Sequence, residues 1–453
     1  MAGKNHFGSR IGLIAATVGS AVGLGNVWRF PAEAQANGGA AFLLIYIVCV
    51  ILLGIPVMLA EFSLGRGTGR DAVGAFRKLQ PRKKWWVGGA LATLASYLIL
   101  SFYLVVAAWT LEYLIQSITG ELYSGMSEYG MENSFREKMG EYISGSWEPL
   151  LASYGIIAIN IIVLLRGVQK GIEKMSNILM PALFLLLVFF CIAALTLPEA
   201  STGLKYFFHP DFSKITPATV VNALGQAFFS LSLGMGILIT YSAYYPKKTN
   251  LVTTAFTVSF LDLAVAVLMG MIIFPAVMSF GLDGESLEGA TLVFVTLPEV
   301  FASMPFTRFW SSLFFLLLLV AAVTSTISLS EVSIAFVSDH FNLNRKRACW
   351  IVMLPLVALS SVCSLSQGPL SHIRILSMNI FDFLDSVATN LMLPTAEIIT
   401  CLFLGWIVKK NFIYNQLTNK GRVNSHISMG IYFMIKYVAP ILIGVILIAK
   451  FME

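Results

Sequence analysis

The chain has 453 residues, 57% of them apolar and only 12% charged, with a formal net charge of +6. A water-soluble domain carries about 25% charged residues, and a soluble fold of this length could not bury so much apolar side chain. A soluble globular protein is therefore excluded, and a chain embedded in a bilayer remains.

The polar start, MAGKNHFGSR, leads directly into an apolar segment with no A-x-A site, so no cleavable signal is expected. Eleven apolar segments then run over 11–36, 41–64, 86–116, 150–165, 176–197, 218–245, 250–280, 307–338, 348–364, 376–408 and 430–451. Most exceed the roughly 20 residues that cross hydrocarbon. The segment 150–165 is short and has to borrow flanking residues, whereas several long ones have to tilt or extend beyond the bilayer. None alternates at period two over strand lengths, so a β-barrel is not expected. Five cysteines (Cys49, Cys191, Cys349, Cys363 and Cys401) lie in or beside these segments without metal-ligand spacing and read as small buried hydrophobes.

Loop charge orients the segments. With the N-terminus inside, the cytoplasmic loops hold Lys4 and Arg10, the seven basic residues from Arg66 to Lys84, and Arg166, Lys170 and Lys174. They also hold Lys247 and Lys248, Arg345, Lys346 and Arg347, and the four from Lys409 to Arg422, making 21 of the 30 basic residues. The loop 117–148 has six glutamates against Arg136 and Lys138, as expected outside. An odd number of spans places the C-terminus outside. The net charge thus follows from topology and does not point to nucleic acid.

In the first segment, residues 19–31 read GSAVGLGNVWRFP. Glycine costs about 1 kcal/mol in a helix relative to alanine, and unpartnered polar groups in hydrocarbon cost several times more. Such a stretch persists where unwound backbone lines a site. Its freed carbonyls are hard oxygen ligands for a cation, and the start of the second half-helix offers N–H groups to a carboxylate. A glycine face for helix packing is the alternative, but it does not account for Asn26 beside Arg29. The sixth segment repeats the anomaly as GQAFFSLSLGMG over 225–236, entering from the opposite side. Two oppositely directed broken helices, five spans apart, fit an inverted repeat with the site between the breaks.

The seventh segment carries Asp262, an intramembrane acid and hence a functional candidate whose partner would be a cation or a proton. In the eighth, Thr324 and Ser325 could face an ion or bond to their own helix. Glu61, near the cytoplasmic end of the second, reads as a partner for nearby backbone, serine or arginine groups.

These motifs carry a resemblance. GSAVGLGNVWRFP, QANGGAAFLLIY, GIPVMLAEFSLGR, FYLVVAAWTLEY, RGVQKGIEK, GQAFFSLSLGMGILITYSAY and TSTISLSEV resemble the neurotransmitter:sodium symporter family over nearly the whole chain. The chain is similar to that family's bacterial leucine and tryptophan or tyrosine members. The resemblance implies an all-α polytopic membrane protein: a 5+5 inverted repeat with broken helices 1 and 6, plus an eleventh helix where many members have twelve. The divisions would be 1–200, 201–408 and 409–453, in a bacterial cytoplasmic (inner) membrane.

It also implies roles. One sodium would take the Ala21 and Ser230 carbonyls, the Asn26 and Ser230 side chains, Asp262 and the substrate carboxylate. A second would take the Gly19, Val22 and Ala321 carbonyls with the Thr324 and Ser325 hydroxyls. The substrate carboxylate would meet the backbone around Gly23–Gly25 and the Tyr103 hydroxyl, and its ammonium the carbonyls of the two breaks, Ala21 among them. Ile99, Phe229, Ser232, Met235, Ser325 and Leu329 would line the side-chain pocket. Outside, Arg29 would pair through water or directly with Asp385 or Asp382 while Phe229 caps the substrate. Inside, Lys4 would pair with Asp339, with Phe7 in a position that is usually tryptophan.

Tyr46, Gln226 and Ser230 match three members of the chloride site of chloride-dependent relatives, whereas Asp262 stands where many relatives have asparagine. Ala266 stands one turn later, where leucine-type relatives have glutamate. A fixed acid at Asp262 would make transport sodium-dependent and chloride-independent, with a proton taken up when sodium is absent. The implied activity is sodium-coupled symport of a hydrophobic or aromatic amino acid, with no covalent chemistry and no obligate protein partner. No G-x-x-x-x-G-K-S/T loop for ATP is present. A carrier of another zwitterion or amine is the alternative, and a channel or silent receptor fits two unlike broken helices less well.

Overall fold

The computed structural model describes residues 6–124, 131–281, 289–422 and 427–452. The regular structure among them is helical, with no strand. Among the described residues, nine helices are long and apolar enough to cross a membrane. They are Ala40–Thr68 (span 2), Trp86–Thr119 (3), Glu148–Leu165 (4), Val168–Ala194 (5), Leu251–Ser279 (7), Thr307–His340 (8), Arg345–Leu365 (9), Ile380–Ile407 (10) and Ser428–Lys450 (11). Span 1 is a bent pair, Arg10–Ala21 and Gly25–Ala36, turned by 55°. Span 6 is also split, into Pro217–Ser230 and Ile237–Ser242, neither half long enough to cross alone. The expected eleven segments are thus all helical, two of them interrupted.

Local chemistry sets these ends. Ser9 starts span 1, accepting the Gly12 N–H on its hydroxyl. Thr216 starts span 6 in a reciprocal box with Thr219, and Pro217 fills the first helical position, where an N–H has no partner anyway. Span 1 breaks where Val22 turns to an extended conformation (φ −72°, ψ 106°), and its second half resumes with a wide turn over Gly25–Arg29. Span 6 breaks differently. Ser232, Gly234 and Gly236 take φ of 55°, 75° and 69°, a left-handed region that glycine enters without steric cost.

Spans 3 and 8 have 34 residues each, about 51 Å at 1.5 Å per residue. Both exceed the hydrocarbon thickness, and their middles are fully buried. Spans 5, 7, 9 and 11 instead turn large apolar side chains outward, Leu185, Phe260, Leu354 and Ile441 among them, each more than half exposed. In water such a belt would be an aggregation liability; in a bilayer it is the lipid contact.

Candidate functional site

The breaks of spans 1 and 6 enclose a small cavity, with spans 3 and 8 closing its sides. Its lining is Ala21, Gly23, Gly25, Ile99, Tyr103, Phe229, Ser230, Ser232, Met235, Ser325 and Leu329, with Ser20 and Ile237 added to the expected set. Ile99 and Tyr103 are four residues apart on span 3, as are Ser325 and Leu329 on span 8, so each pair shares one helix face.

One end of the cavity is polar. The Leu24 N–H donates to the Tyr103 hydroxyl at 3.1 Å. A β-carbon added at Gly23 would lie 2.8 Å from Ser325 Oγ and 2.9 Å from the Tyr103 oxygen. Gly23 thus leaves a gap ringed by two hydroxyls and broken-helix backbone. The other end is apolar, formed by Ile99, Met235 and Leu329. Ser232 faces the cavity, but its hydroxyl donates to the Ser20 carbonyl at 2.7 Å and so ties one break to the other. Ser96 ties the second break to span 3 by donating to the Met235 carbonyl.

Beside the polar end lies a fully buried cluster. Ser230 Oγ donates to the Asp262 carboxylate, 2.8 Å from Oδ2. Asn26 Nδ2 donates to Asp262 Oδ1 at 2.9 Å and to Ser230 Oγ at 3.0 Å. Turning the Asn26 amide over would bring its oxygen into the same space, giving three hard donors suited to an alkali cation. The Tyr46 hydroxyl reaches both Asp262 Oδ2 and Ser230 Oγ at 3.3 Å. Gln226 donates to the Gly25 carbonyl at 3.2 Å, and its own oxygen is buried without a partner. Ala266 is buried one turn beyond Asp262.

Two members of the second expected ion group are neighbours. A β-carbon at Gly19 would lie 3.4 Å from Thr324 Cβ, so spans 1 and 8 touch there. Thr324 Oγ1 donates to its own helix, at 3.1 Å to the Val320 carbonyl and 3.0 Å to that of Ala321. That is the alternative considered above, but the hydroxyl's lone pairs remain available to a cation. Val22, at the turn, has its carbonyl out of the helical direction.

Above the cavity a vestibule of about 510 Å³ is lined by Arg29, Glu33, Phe229 and Asp385. Arg29 and Asp385, expected to pair directly or through water, both line this vestibule. Arg29 pairs with Glu33, one helical turn on, at 3.9 Å, and lies 5.0 Å over the Phe229 ring. The i, i+4 spacing favours that neighbour. Asp382 is exposed and engaged with Asn379 at the start of span 10, its N–H donating to Asn379 Oδ1 at 2.8 Å. It does not line the vestibule.

At the opposite mouth Lys4 lies outside the described residues, and Asp339 accepts the Asp71 N–H at 3.4 Å. Phe7 is buried against Tyr241, Tyr244 and Tyr245, with ring centroids 6.0, 6.4 and 6.1 Å away. Glu173 of span 5 accepts the N–H groups of Gly8 (2.7 Å) and Ser9 (2.9 Å), anchoring the segment before span 1. Glu331, which exposes nothing, is held by a two-pronged bond from Arg345 (2.7 and 2.6 Å) and by the Tyr244 hydroxyl (2.8 Å).

The sodium:neurotransmitter symporter family profile matches residues 4–148 and 138–453 of the chain. An uncharacterized sodium-dependent transporter of Bacillus subtilis is 34% identical over 97% of this chain and 96% of its own. One of Methanocaldococcus jannaschii is 35% identical over 98% and 89%. The crystal structure of MhsT in complex with L-phenylalanine superimposes with a TM-score of 0.88, at 40% identity, over 99% of this chain and all of that one.

Proposed function

Because the chain belongs to the sodium:neurotransmitter symporter family of sodium-dependent transporters, we propose that it carries a hydrophobic or aromatic L-amino acid with sodium by alternating access. The membrane would be the bacterial cytoplasmic membrane, with the N-terminus inside and the C-terminus outside. The chief support is the two-ended cavity, with the polar gap at Gly23 beside the Asn26–Ser230–Asp262 cluster and an apolar pocket beyond. The α-carboxylate would sit at Gly23 against the Tyr103 hydroxyl and the first sodium. A second sodium would bridge Gly19 and Val22 of span 1 to Ala321, Thr324 and Ser325 of span 8. An ion touching the substrate carboxylate raises the affinity for substrate, and the substrate raises that for the ion. The repeats 1–200 and 201–408 would then rock about this site.

Each apolar side chain buried here contributes about 25 cal/mol per Å², and no group in the pocket would neutralise a charged one. A solved relative bound to L-phenylalanine agrees with this preference. In a thermal-shift panel of the twenty amino acids in sodium, leucine, methionine or an aromatic residue should stabilise the protein most. A lead for lysine or glutamate would show that the pocket is wrongly assigned. Amines lacking a carboxylate should compete about tenfold or more less well, the loss of one charge-assisted contact. Equal competition by such amines would favour the alternative of an amine carrier. Accumulation in proteoliposomes under an inward sodium gradient tests transport itself; passive equilibration would sink the symport reading.

Chloride independence is part of the proposal. Tyr46 and Ser230 are hydroxyls that would serve a chloride ion, and both donate to the Asp262 carboxylate. One fixed negative charge offsets the positive charge of two sodium ions in a poorly solvated site.

A further inference from the structure

The crossing of spans 10 and 11 carries basic side chains that neither the cavity nor the gates use. From 398 to 452 the sequence has no aspartate or glutamate, yet it holds Lys409, Lys410, Lys420, Arg422, Lys436 and Lys450. Lys436 lies inside span 11, about two helical turns from its start at Ser428. On the proposed topology that start faces the cytoplasm. A helical side chain leans toward the N-terminus of its helix, so the ammonium reaches back toward that surface while its stem stays among apolar groups.

The ammonium is held there without being neutralised. Lys436 Nζ lies 4.4 Å from the centre of the Trp406 ring, 5.3 Å from that of Tyr437 and 6.0 Å from that of Tyr432. Lys410 opens the short helix Lys410–Leu417, and its Nζ lies 5.6 Å from the Tyr432 ring, so two cations share one ring. Lys410 Nζ also meets the Met429 sulfur at 3.0 Å. No acid among the described residues pairs with either lysine. Attraction to a ring face leaves the charge and the N–H donors in place. The backbone fixes the arrangement. Both spans take a wide turn here, over Phe403–Ile407 and Met434–Val438. The Trp406 indole donates to the Lys436 carbonyl at 3.1 Å, and the Tyr432 hydroxyl to the Gly405 carbonyl at 3.0 Å. A β-carbon at Gly405 would lie 2.8 Å from Lys436 Cα, so this close approach depends on glycine.

We propose that this crossing binds an anionic phospholipid of the cytoplasmic leaflet, with the headgroup phosphate between Lys410 and Lys436. The surface around the lysines is apolar, with Trp406, Met429 and Phe433 each more than half exposed. From there Phe433, Tyr437, Ile441 and Val445 follow at four-residue spacing, all exposed, and mark a track for an acyl chain along span 11. Charge selects the occupant. A neutral lipid would leave both cations without a counter-charge. A second copy of the chain, meeting this one about a two-fold axis, would bring the same basic segment against itself. A water-soluble anion gains nothing from the apolar track. An anionic lipid answers both the charge and the track. The choice of leaflet rests on the proposed orientation, and nothing here rests on the cargo.

Native mass spectrometry of the purified protein with added phosphatidylglycerol or phosphatidylcholine tests the proposal. Wild type should hold phosphatidylglycerol about tenfold more tightly, the worth of one charge-assisted contact. Lys410→Gln combined with Lys436→Gln should lower that affinity to the level of phosphatidylcholine. Lys436→Arg should keep it within about threefold, since a guanidinium also binds phosphate. Lys420→Gln combined with Arg422→Gln, which removes as much charge from the same connection, should leave the preference in place. Equal affinity of wild type for the two lipids, or a preference that survives the first double variant, overturns the proposal. So does an equal loss in the second, which would mean that loop charge alone gathers the lipid. A lipid-free dimer that the first double variant separates would make this face a contact between copies and overturn it too. If that variant does not fold, Lys410→Gln alone should still lose about threefold or more, and an unchanged affinity decides against the site. Lipid binding is read without sodium or cargo, so its failure and the failure of the symport reading are distinguishable.

Discussion

Asp262→Asn should cut sodium-driven uptake in chloride-free medium by about a hundredfold, equivalent to about 2.7 kcal/mol at 1.4 kcal/mol per decade. The carboxylate is fully buried and accepts from Asn26, Ser230 and Tyr46. The variant keeps the shape and one acceptor but removes the charge that would offset the sodium ions. Uptake by wild type and variant, with gluconate replacing chloride at fixed sodium, is the measurement. Wild type should be indifferent to the replacement. The variant should regain part of its uptake when chloride returns, because the freed Tyr46 and Ser230 hydroxyls can then donate to the anion. Loss of wild-type uptake without chloride would show that Asp262 is a sodium ligand only and that chloride is still required.

Arg345→Leu should destabilise the folded protein by about 3–5 kcal/mol, the usual cost of leaving a buried charge unpaired. Glu331 exposes nothing, and the Arg345 head group is about three-quarters buried, so solvent screens the pair little. Two parallel bonds of 2.7 and 2.6 Å would be lost together, leaving Glu331 with the Tyr244 hydroxyl alone. The double variant Arg345→Leu, Glu331→Leu should recover at least about half of the loss, since replacing both partners also removes both desolvation penalties. Denaturant or thermal unfolding in detergent measures both. A single variant as stable as wild type would mean that the pair contributes no net stability.

Much of the fold was legible because hydrocarbon imposes a length and a composition on every span. The two breaks were legible because glycine, asparagine and arginine in span 1, and glycine, glutamine and serine in span 6, violate that composition. The residues around the cavity followed from family motifs, and their i, i+4 spacing on spans 3 and 8 is what turns them to one face. Other features escaped for identifiable reasons. Glu173 reaches Gly8 across 165 positions, and no local pattern records such a contact. Ser20 and Ile237 enter the cavity because of the exact turn of each break. Two omissions were avoidable. Glu33 lies one helical turn from Arg29, a spacing that predicts a pair from sequence. Glu331 is an acid inside an apolar segment and meets the same criterion that singled out Asp262.

The two breaks also differ in how freely they can evolve. Span 6 turns through left-handed glycines at 234 and 236, so the identities there are fixed by backbone geometry, and any drift at 234 would strike the Leu393 carbonyl. Span 1 turns without a left-handed residue. What an added side chain would meet at Gly23 is the Ser325 and Tyr103 hydroxyls, and at Gly25 the ring of Phe229. These glycines supply room and are not required by the backbone conformation. A lineage can therefore alter which solutes it accepts by small replacements in span 1 while span 6 remains a constant frame. An engineer seeking new cargo would begin a library at 23 and leave 234 and 236 untouched.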